Sequence, residues 1–104
     1  KYADRLAWWV SEPDGGQAEA INKGFARARG EIFAWLNSDD TYLPGAVAAA
    51  VEGFRSRPQA GLVYGNVLSV DAEGVPLHLQ TFAPYTLADL LAFRIISQPG
   101  VFVR

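Results

Sequence analysis

Glu31-Ile32-Phe33-Ala34-Trp35-Leu36-Asn37-Ser38-Asp39-Asp40 is the stretch on which the fold turns. Apolar residues run without a break over 32–36 and give way abruptly to turn-prone polar ones. Continuous rather than alternating apolarity fits a parallel strand covered on both faces, and the change at Asn37 marks its end. In open α/β sheets, ligands bind beyond the carboxyl ends of strands. Two carboxylates at that position repel one another unless a cation or hydrogen bonds compensate. A divalent ion is the simplest compensation, and Mg²⁺ or Mn²⁺ held by Asp39 and Asp40 can bridge to a diphosphate. The competing reading is a turn and helix cap ahead of Pro44, because aspartate is common before helices.

Upstream, Leu6, Ala7, Trp8, Trp9 and Val10 form a short apolar run bounded by Pro13, Gly15 and Gly16, which predicts a buried strand. A helix is predicted over 17–29. Its apolar face is Ala18, Ile21, Phe25 and Ala28, with Asp14 in a capping-box position and Gly30 as a left-handed stop. Downstream, Pro44 suits the first position of a second helix. Leu43, Val47, Val51 and Phe54 would face inward and Pro58 would end it. Residues 62–64 and 67–70 read as one strand interrupted or bulged at Gly65. Residues 71–74 form a turn and 75–82 return as an antiparallel partner. Residues 86–93 predict a third helix capped by Thr86, with Leu87, Leu90 and Leu91 inward, and 101–103 a last strand. The order β-α-β-α-β-β-α-β implies an α/β domain with a mixed sheet.

Composition narrows the chemistry. The chain has 104 residues, half of them apolar and 19% charged, with a net charge of −2, so it has material for a core and no pull towards nucleic acid. With no cysteine and a single histidine, His78, any metal must be held by oxygen, again Mg²⁺ or Mn²⁺. No apolar run approaches the roughly 20 residues needed to cross a bilayer. The default location is therefore cytoplasmic, free or peripheral to a membrane. Neither end of the chain looks like the natural edge of a domain: an apolar stretch follows Lys1 almost at once, and Arg104 follows a strand directly.

Other candidate residues are read against plainer roles. Asp14-Gly15-Gly16-Gln17 opens a helix and can approach an anion or sugar closely, but it matches neither a P-loop nor a dinucleotide fingerprint, and an ordinary strand–helix turn explains it as well. Asn22 lies in the second turn of that helix, where an amide is commonly just exposed. His78 fits a surface position on the return strand. Trp8, Trp9 and Trp35 fit the core, although one of them could flank a pocket.

Taken in order, three segments resemble the family 2 glycosyltransferases of the GT-A fold. These are Ser11-Glu12-Pro13-Asp14-Gly15-Gly16-Gln17, Ala20-Ile21-Asn22-Lys23-Gly24-Phe25, and residues 28–46 with their Leu36-Asn37-Ser38-Asp39-Asp40 core. Val63-Tyr64-Gly65-Asn66 and Ser97-Gln98-Pro99-Gly100-Val101-Phe102-Val103-Arg104 look like that family too. The resemblance covers the chain from about Trp9 to Arg104. It implies a GT-A-like (Rossmann-like) three-layer α/β/α domain with a mixed sheet. Residues 1–104 would be its central part, incomplete at both ends.

The resemblance also implies an activity: metal-assisted, inverting transfer of a sugar from a nucleotide-diphosphate donor to an acceptor hydroxyl on a glycan, lipid or protein. In the DXD-like acidic motif, Asp39 matches the metal-binding acid and Asp40 its neighbour. Asn37 stands where many members carry aspartate, and its amide would bond a ribose or phosphate. Asp14 and Asn22 match positions near the nucleotide pocket, and Gln98 matches a segment bordering the acceptor. No carboxylate matches the catalytic base: Asp71, Glu73 and Asp89 stand outside the family's motif. A sugar nucleotidyltransferase and a non-catalytic module are the alternatives. Exposed sheet edges are expected to make the chain self-associate.

Overall fold

The computed structural model describes residues 2–92 and 94–104. Three helices, α1 (Gln17–Arg27), α2 (Ala46–Ser56) and α3 (Leu87–Leu91), stand among four short strands: β1 (Leu62–Tyr64), β2 (Val67–Val70), β3 (Pro76–Gln80) and β4 (Val101–Val103). β1 pairs with β4, with Val63 opposite Phe102, and β2 pairs with β3, with Leu68 opposite Leu79. Both pairs are antiparallel.

The predicted strand 32–36 appears as extended chain on the far side of β4. The Phe33 amide donates to the Val103 carbonyl at 2.7 Å, and the Val103 amide donates back at 2.9 Å. This antiparallel bridge is isolated, so the expectation of a parallel strand covered on both faces is corrected. In place of one mixed sheet, the described strands form two antiparallel pairs with Phe33 appended to the first.

The core forms where α2 crosses β1 and β4. Ala50 and Phe54, four residues apart, share one helix face and meet Phe102, with Ile32, Ala34, Tyr42, Ala60 and Val63 packed around them. The Phe102 ring stacks on Tyr42, with centroids 5.4 Å apart. Gly53 lets the helix approach closely: a Cβ there would lie 3.1 Å from Val63 Cγ1. The stripe is therefore Ala50, Val51 and Phe54. Leu43 and Val47 are exposed, which corrects their assignment to the inward face. The helix begins at Ala46 because Gly45, with φ +85°, holds a left-handed turn at the N-cap, so Pro44 lies outside it.

Three other expectations need correction. Residues 6–10 form no strand and are exposed; Trp9 retains 58% of its surface. A strand needs a hydrogen-bonded neighbour, and none of the described residues lies alongside. The Arg27 guanidinium lies 4.6 Å above the Trp8 ring. Among the tryptophans, Trp35 alone is half-buried, its ring edge-on to Phe25.

α1 stops at Arg27, and Ala28 turns to extended backbone, so Gly30 is not a left-handed stop. α3 is capped as expected: Asp89 accepts from the Thr86 amide at 2.9 Å, and Thr86 Oγ1 accepts from the Asp89 amide at 3.2 Å. However, Leu87 and Leu91 point to solvent. The Leu90 side chain and Phe93 lie outside the described residues.

The β2–β3 hairpin follows its sequence closely. Asp71 Oδ1 accepts from the amides of Glu73 (3.0 Å) and Val75 (2.8 Å), and Gly74 supplies the left-handed residue at φ +83°. The interruption at Gly65 is real: its amide donates to Gly100 at 2.9 Å, and the chain passes from one sheet to the other. A Cβ on Gly100 would fall 2.7 Å from the Gly65 carbonyl oxygen. Gly100→Ala must push these backbones apart and is expected to cost about 1–3 kcal/mol, as overpacking does. Urea denaturation of the two proteins checks this, and an unchanged midpoint would contradict the packing described.

Candidate functional site

The end of the 32–36 segment opens onto a cleft of about 710 Å³ between the start of α2 and the β1–β2 stretch. Asp39, Asp40, Thr41 and Tyr42 line one side, and Tyr64, Gly65, Asn66 and Ser69 another; Ala50, Val63 and Phe102 reach it from the core. Its size falls within the usual range for small-molecule sites, about 300–1,000 Å³. Asp39 and Asp40 are the carboxylates on its wall.

Of the residues singled out in the sequence, Asn37, Asp40 and Gln98 come together. Asn37 Nδ2 donates to Asp40 Oδ2 at 2.9 Å and to Gln98 Oε1 at 3.0 Å. Gln98 Nε2 donates to the Trp35 carbonyl at 2.6 Å. The Asp40 amide donates to the Asn37 carbonyl at 3.2 Å, closing the turn that carries both acids. Gln98 is delivered by the 3-10 turn Gln98–Gly100 just before β4. Asp39 is exposed beside this cluster on the cleft wall.

Gln17 joins the cluster and was not foreseen. Its Nε2 donates to Asn37 Oδ1 at 3.0 Å. It stands at the end of the Ser11–Gln17 motif, but as the opening residue of a helix it reads as an ordinary polar position. Tyr64 and Asn66 on the opposite wall lay in a segment that resembles the family but were not singled out as site residues.

Asp14 and Asn22 do not reach the cleft wall. Asp14 Oδ1 accepts from the Gly16 amide at 2.9 Å and shapes the turn before α1. Asn22 is exposed on α1. The partner that closes the helix start is Glu19, whose Oε2 accepts from the Gly15 amide at 2.6 Å and whose Oε1 meets Lys23 Nζ at 3.1 Å. The Gly15 hydrogen bond, followed by Lys23, holds the Glu19 carboxyl below its ordinary range. A lowered folded value makes the clamp stabilising above the unfolded glutamate value, near about 4.3, and lost as pH falls through the folded one. The Gly15 amide resonance should therefore move with an acid-side midpoint below that of free glutamate, and Glu19→Gln should abolish the step.

Asp71 and Asp89, two of the carboxylates left over as conceivable bases, serve the hairpin turn and the α3 cap. His78 lies exposed on β3, opposite Ser69.

Among the described residues, no three His, Cys, Asp or Glu side chains gather into a metal cage. Two adjacent carboxylates on an open wall form a different donor set. They are hard oxygen ligands that leave most of a cation's coordination sphere to water and ligand oxygens, the arrangement seen where Mg²⁺ is shared with substrate phosphates.

Where the extended 32–36 segment ends, an acid pair stands on the wall of a cleft in an α/β chain, and comparison with known proteins gives the family. The chain belongs to glycosyl transferase family 2, whose sequence model matches residues 9–100. Its fold class is accordingly GT-A-like α/β. An uncharacterized glycosyltransferase of Mycobacterium tuberculosis is 40% identical over 61 residues, covering 58% of this chain and 23% of that protein. The O-antigen biosynthesis protein RfbC of Myxococcus xanthus is 33% identical over 70 residues, 67% of this chain and 6% of that protein. An uncharacterized glycosyltransferase of a Nostoc species is 34% identical over 55 residues, 53% of this chain and 17% of that protein. The match thus spans 23% or less of the length of these relatives. No solved structure matches the chain. Among the described residues, no helix is long and apolar enough to cross a membrane.

Proposed function

We propose that this chain carries the donor-binding and cation-binding part of an inverting glycosyltransferase that uses a nucleotide-diphosphate sugar. The observation that carries the reading is the placement of Asp39 and Asp40 on the wall of the 710 Å³ cleft, at the point where the 32–36 segment ends. In the reaction, an acceptor hydroxyl oxygen bonds to the anomeric carbon from the face opposite the leaving group. The bond from that carbon to the diphosphate oxygen breaks, and the nucleoside diphosphate departs with the electron pair. The acceptor proton goes to a carboxylate general base.

Asp39 and Asp40 would hold Mn²⁺ or Mg²⁺, and such an ion supplies Lewis-acid stabilisation of the charge growing on the diphosphate. Asn37 tethers Asp40 and so limits the freedom of the acid pair. Gln98 brings the turn before β4 to the same place, which suits a role beside the acceptor. The tyrosines of the cleft, Tyr42 and Tyr64, offer apolar faces of the kind that sugar and base rings pack against. O-antigen assembly, named for the Myxococcus relative, fits a glycan or glycolipid acceptor.

The test is a screen of nucleotide sugars against the full-length gene product, with and without Mn²⁺. Binding or turnover of one donor class that needs the cation supports the reading. No binding of any donor at millimolar concentration overturns it.

Self-association belongs to the same proposal. The accessible surface is 8434 Å², well above the roughly 5,700 Å² expected of a compact 11.3 kDa monomer. The excess, roughly 2,700 Å², is more than the about 800 Å² that each partner buries in a standard interface. Leu36 and Val47 are exposed along the apolar groove beside the 32–36 segment. The isolated chain is expected to scatter light as a dimer or larger, and a monodisperse monomer would contradict this.

A further inference from the structure

Asn37 is the junction of three parts of the chain that are far apart in sequence, and the polarity of each contact is fixed by its neighbour. The Trp35 carbonyl can only accept, so the Gln98 amide must turn Nε2 towards it, at 2.6 Å. That leaves Gln98 Oε1 facing Asn37, which must answer with Nδ2, at 3.0 Å. The second hydrogen on the same nitrogen goes to Asp40 Oδ2 at 2.9 Å. Asn37 Oδ1 faces the other way and takes the Gln17 amide at 3.0 Å. Flipping Asn37 would set its oxygen against two other oxygens, so the orientation is determined by the set as a whole. Gln98 is itself held in a rigid turn: the Gly100 amide donates to Ser97, and the Gly65 amide donates to Gly100.

We propose that Gln98 is a positioning residue: acting through Asn37, it fixes the Asp40 carboxylate with Oδ2 engaged, so that its remaining oxygen is presented to a cation. The inference rests on the reading of Asp39 and Asp40 as the cation pair, and it adds a residue 58 positions further along the chain to that pair's support. Gln17 supports Asn37 from the opposite side, so the start of α1 contributes a smaller share of the same restraint. Neither glutamine lines the cleft, so each acts on the acid pair through Asn37.

The test is a double-mutant cycle on the full-length protein, with Mn²⁺ plus UDP and Mn²⁺ plus GDP as probes. Gln98→Ala is expected to weaken Mn²⁺-dependent binding by about 5- to 10-fold, less than the roughly 10- to 100-fold typical of a direct partner of a metal ligand, because Gln98 acts through Asn37. In an Asp40→Ala background the same change should alter the residual binding by less than about 2-fold, because the carboxylate that it orients is gone. Equal losses in both backgrounds would overturn the proposal.

Gln17→Ala, at an exposed position that leaves the core untouched, should give a weakening of about 2-fold and serves if Gln98→Ala does not fold. No weakening in a folded Gln17→Ala protein would then count against the network. A wild-type protein that binds neither probe would sink the cation reading rather than this one. The Asn37 side-chain amide resonances then decide: they should shift in both Gln98→Ala and Asp40→Ala, and resonances unmoved by Gln98→Ala would overturn the positioning role.

Discussion

Phe54→Ala is expected to lower the stability of the chain by about 3–5 kcal/mol, the range for removing a fully buried aromatic side chain. Phe54 is fully buried, and its closest buried companions among the described residues are Ala50 and Phe102. Its ring supports the crossing of α2 over β1 and β4 and carries the Arg104 guanidinium 4.8 Å from its centroid. A core this small has few other contacts to absorb the cavity. Since a whole domain is held by only about 5–15 kcal/mol, this loss removes a large fraction of the total. Phe54→Leu, which keeps most of the volume, should cost about 1–1.5 kcal/mol. Urea denaturation of the three proteins checks this. A loss below about 1 kcal/mol for the alanine variant would place the stabilising core elsewhere.

What the sequence revealed depended on whether the information was local. The β2–β3 hairpin was legible because Asp71 and Gly74 satisfy the turn from within four residues. The cap of α3 was legible for the same reason. The inward face of α2 was only half legible: Phe54 and Val51 fit the pattern, but it does not say that β1 and β4 contact the later turns and leave Leu43 and Val47 outside. Residues 6–10 and 32–36 are alike in apolarity. What separates them is a partner: Val103 bridges Phe33, and no described residue pairs with the earlier run. Periodicity cannot reveal that difference, because strand pairing is set by tertiary contacts.

The site divides in the same way. Asp39 and Asp40 were recognisable from an abrupt change of polarity at the end of an apolar run, and they do line the cleft. Asn37, Asp40 and Gln98 were each picked out, but their hydrogen-bonded union spans 61 residues and is a property of the fold. Asp14 and Asn22 were selected as motif positions and lie apart from the cleft wall; the turn before α1 uses Asp14 for its own closure.

Asp39→Asn is expected to have the largest effect on function. The Asp39 carboxylate takes no hydrogen bond among the described residues, so its charge is uncommitted and available to a cation. Asparagine keeps the shape and removes the charge. Mn²⁺-dependent affinity for a nucleoside diphosphate should fall by at least about 10- to 100-fold, the loss seen when even an outer partner of a metal site is removed. Stability should change by no more than about 0.5 kcal/mol, since the position is exposed. Asp40→Asn should weaken binding comparably and also disturb the Asn37 tether, because an amide can set a donor against Nδ2. A thermal melt run beside each binding isotherm separates the two effects.

The most direct measurement follows Mn²⁺ itself. In the full-length protein labelled at its aspartate carboxyl carbons, Mn²⁺ is titrated in the presence of UDP or GDP. Broadening that begins at Asp39 and Asp40, requires the nucleotide for full effect and disappears in Asp39→Asn is the predicted result. Broadening spread evenly over surface aspartates such as Asp4 and Asp14, with the cleft pair no more affected than the rest, would contradict the account.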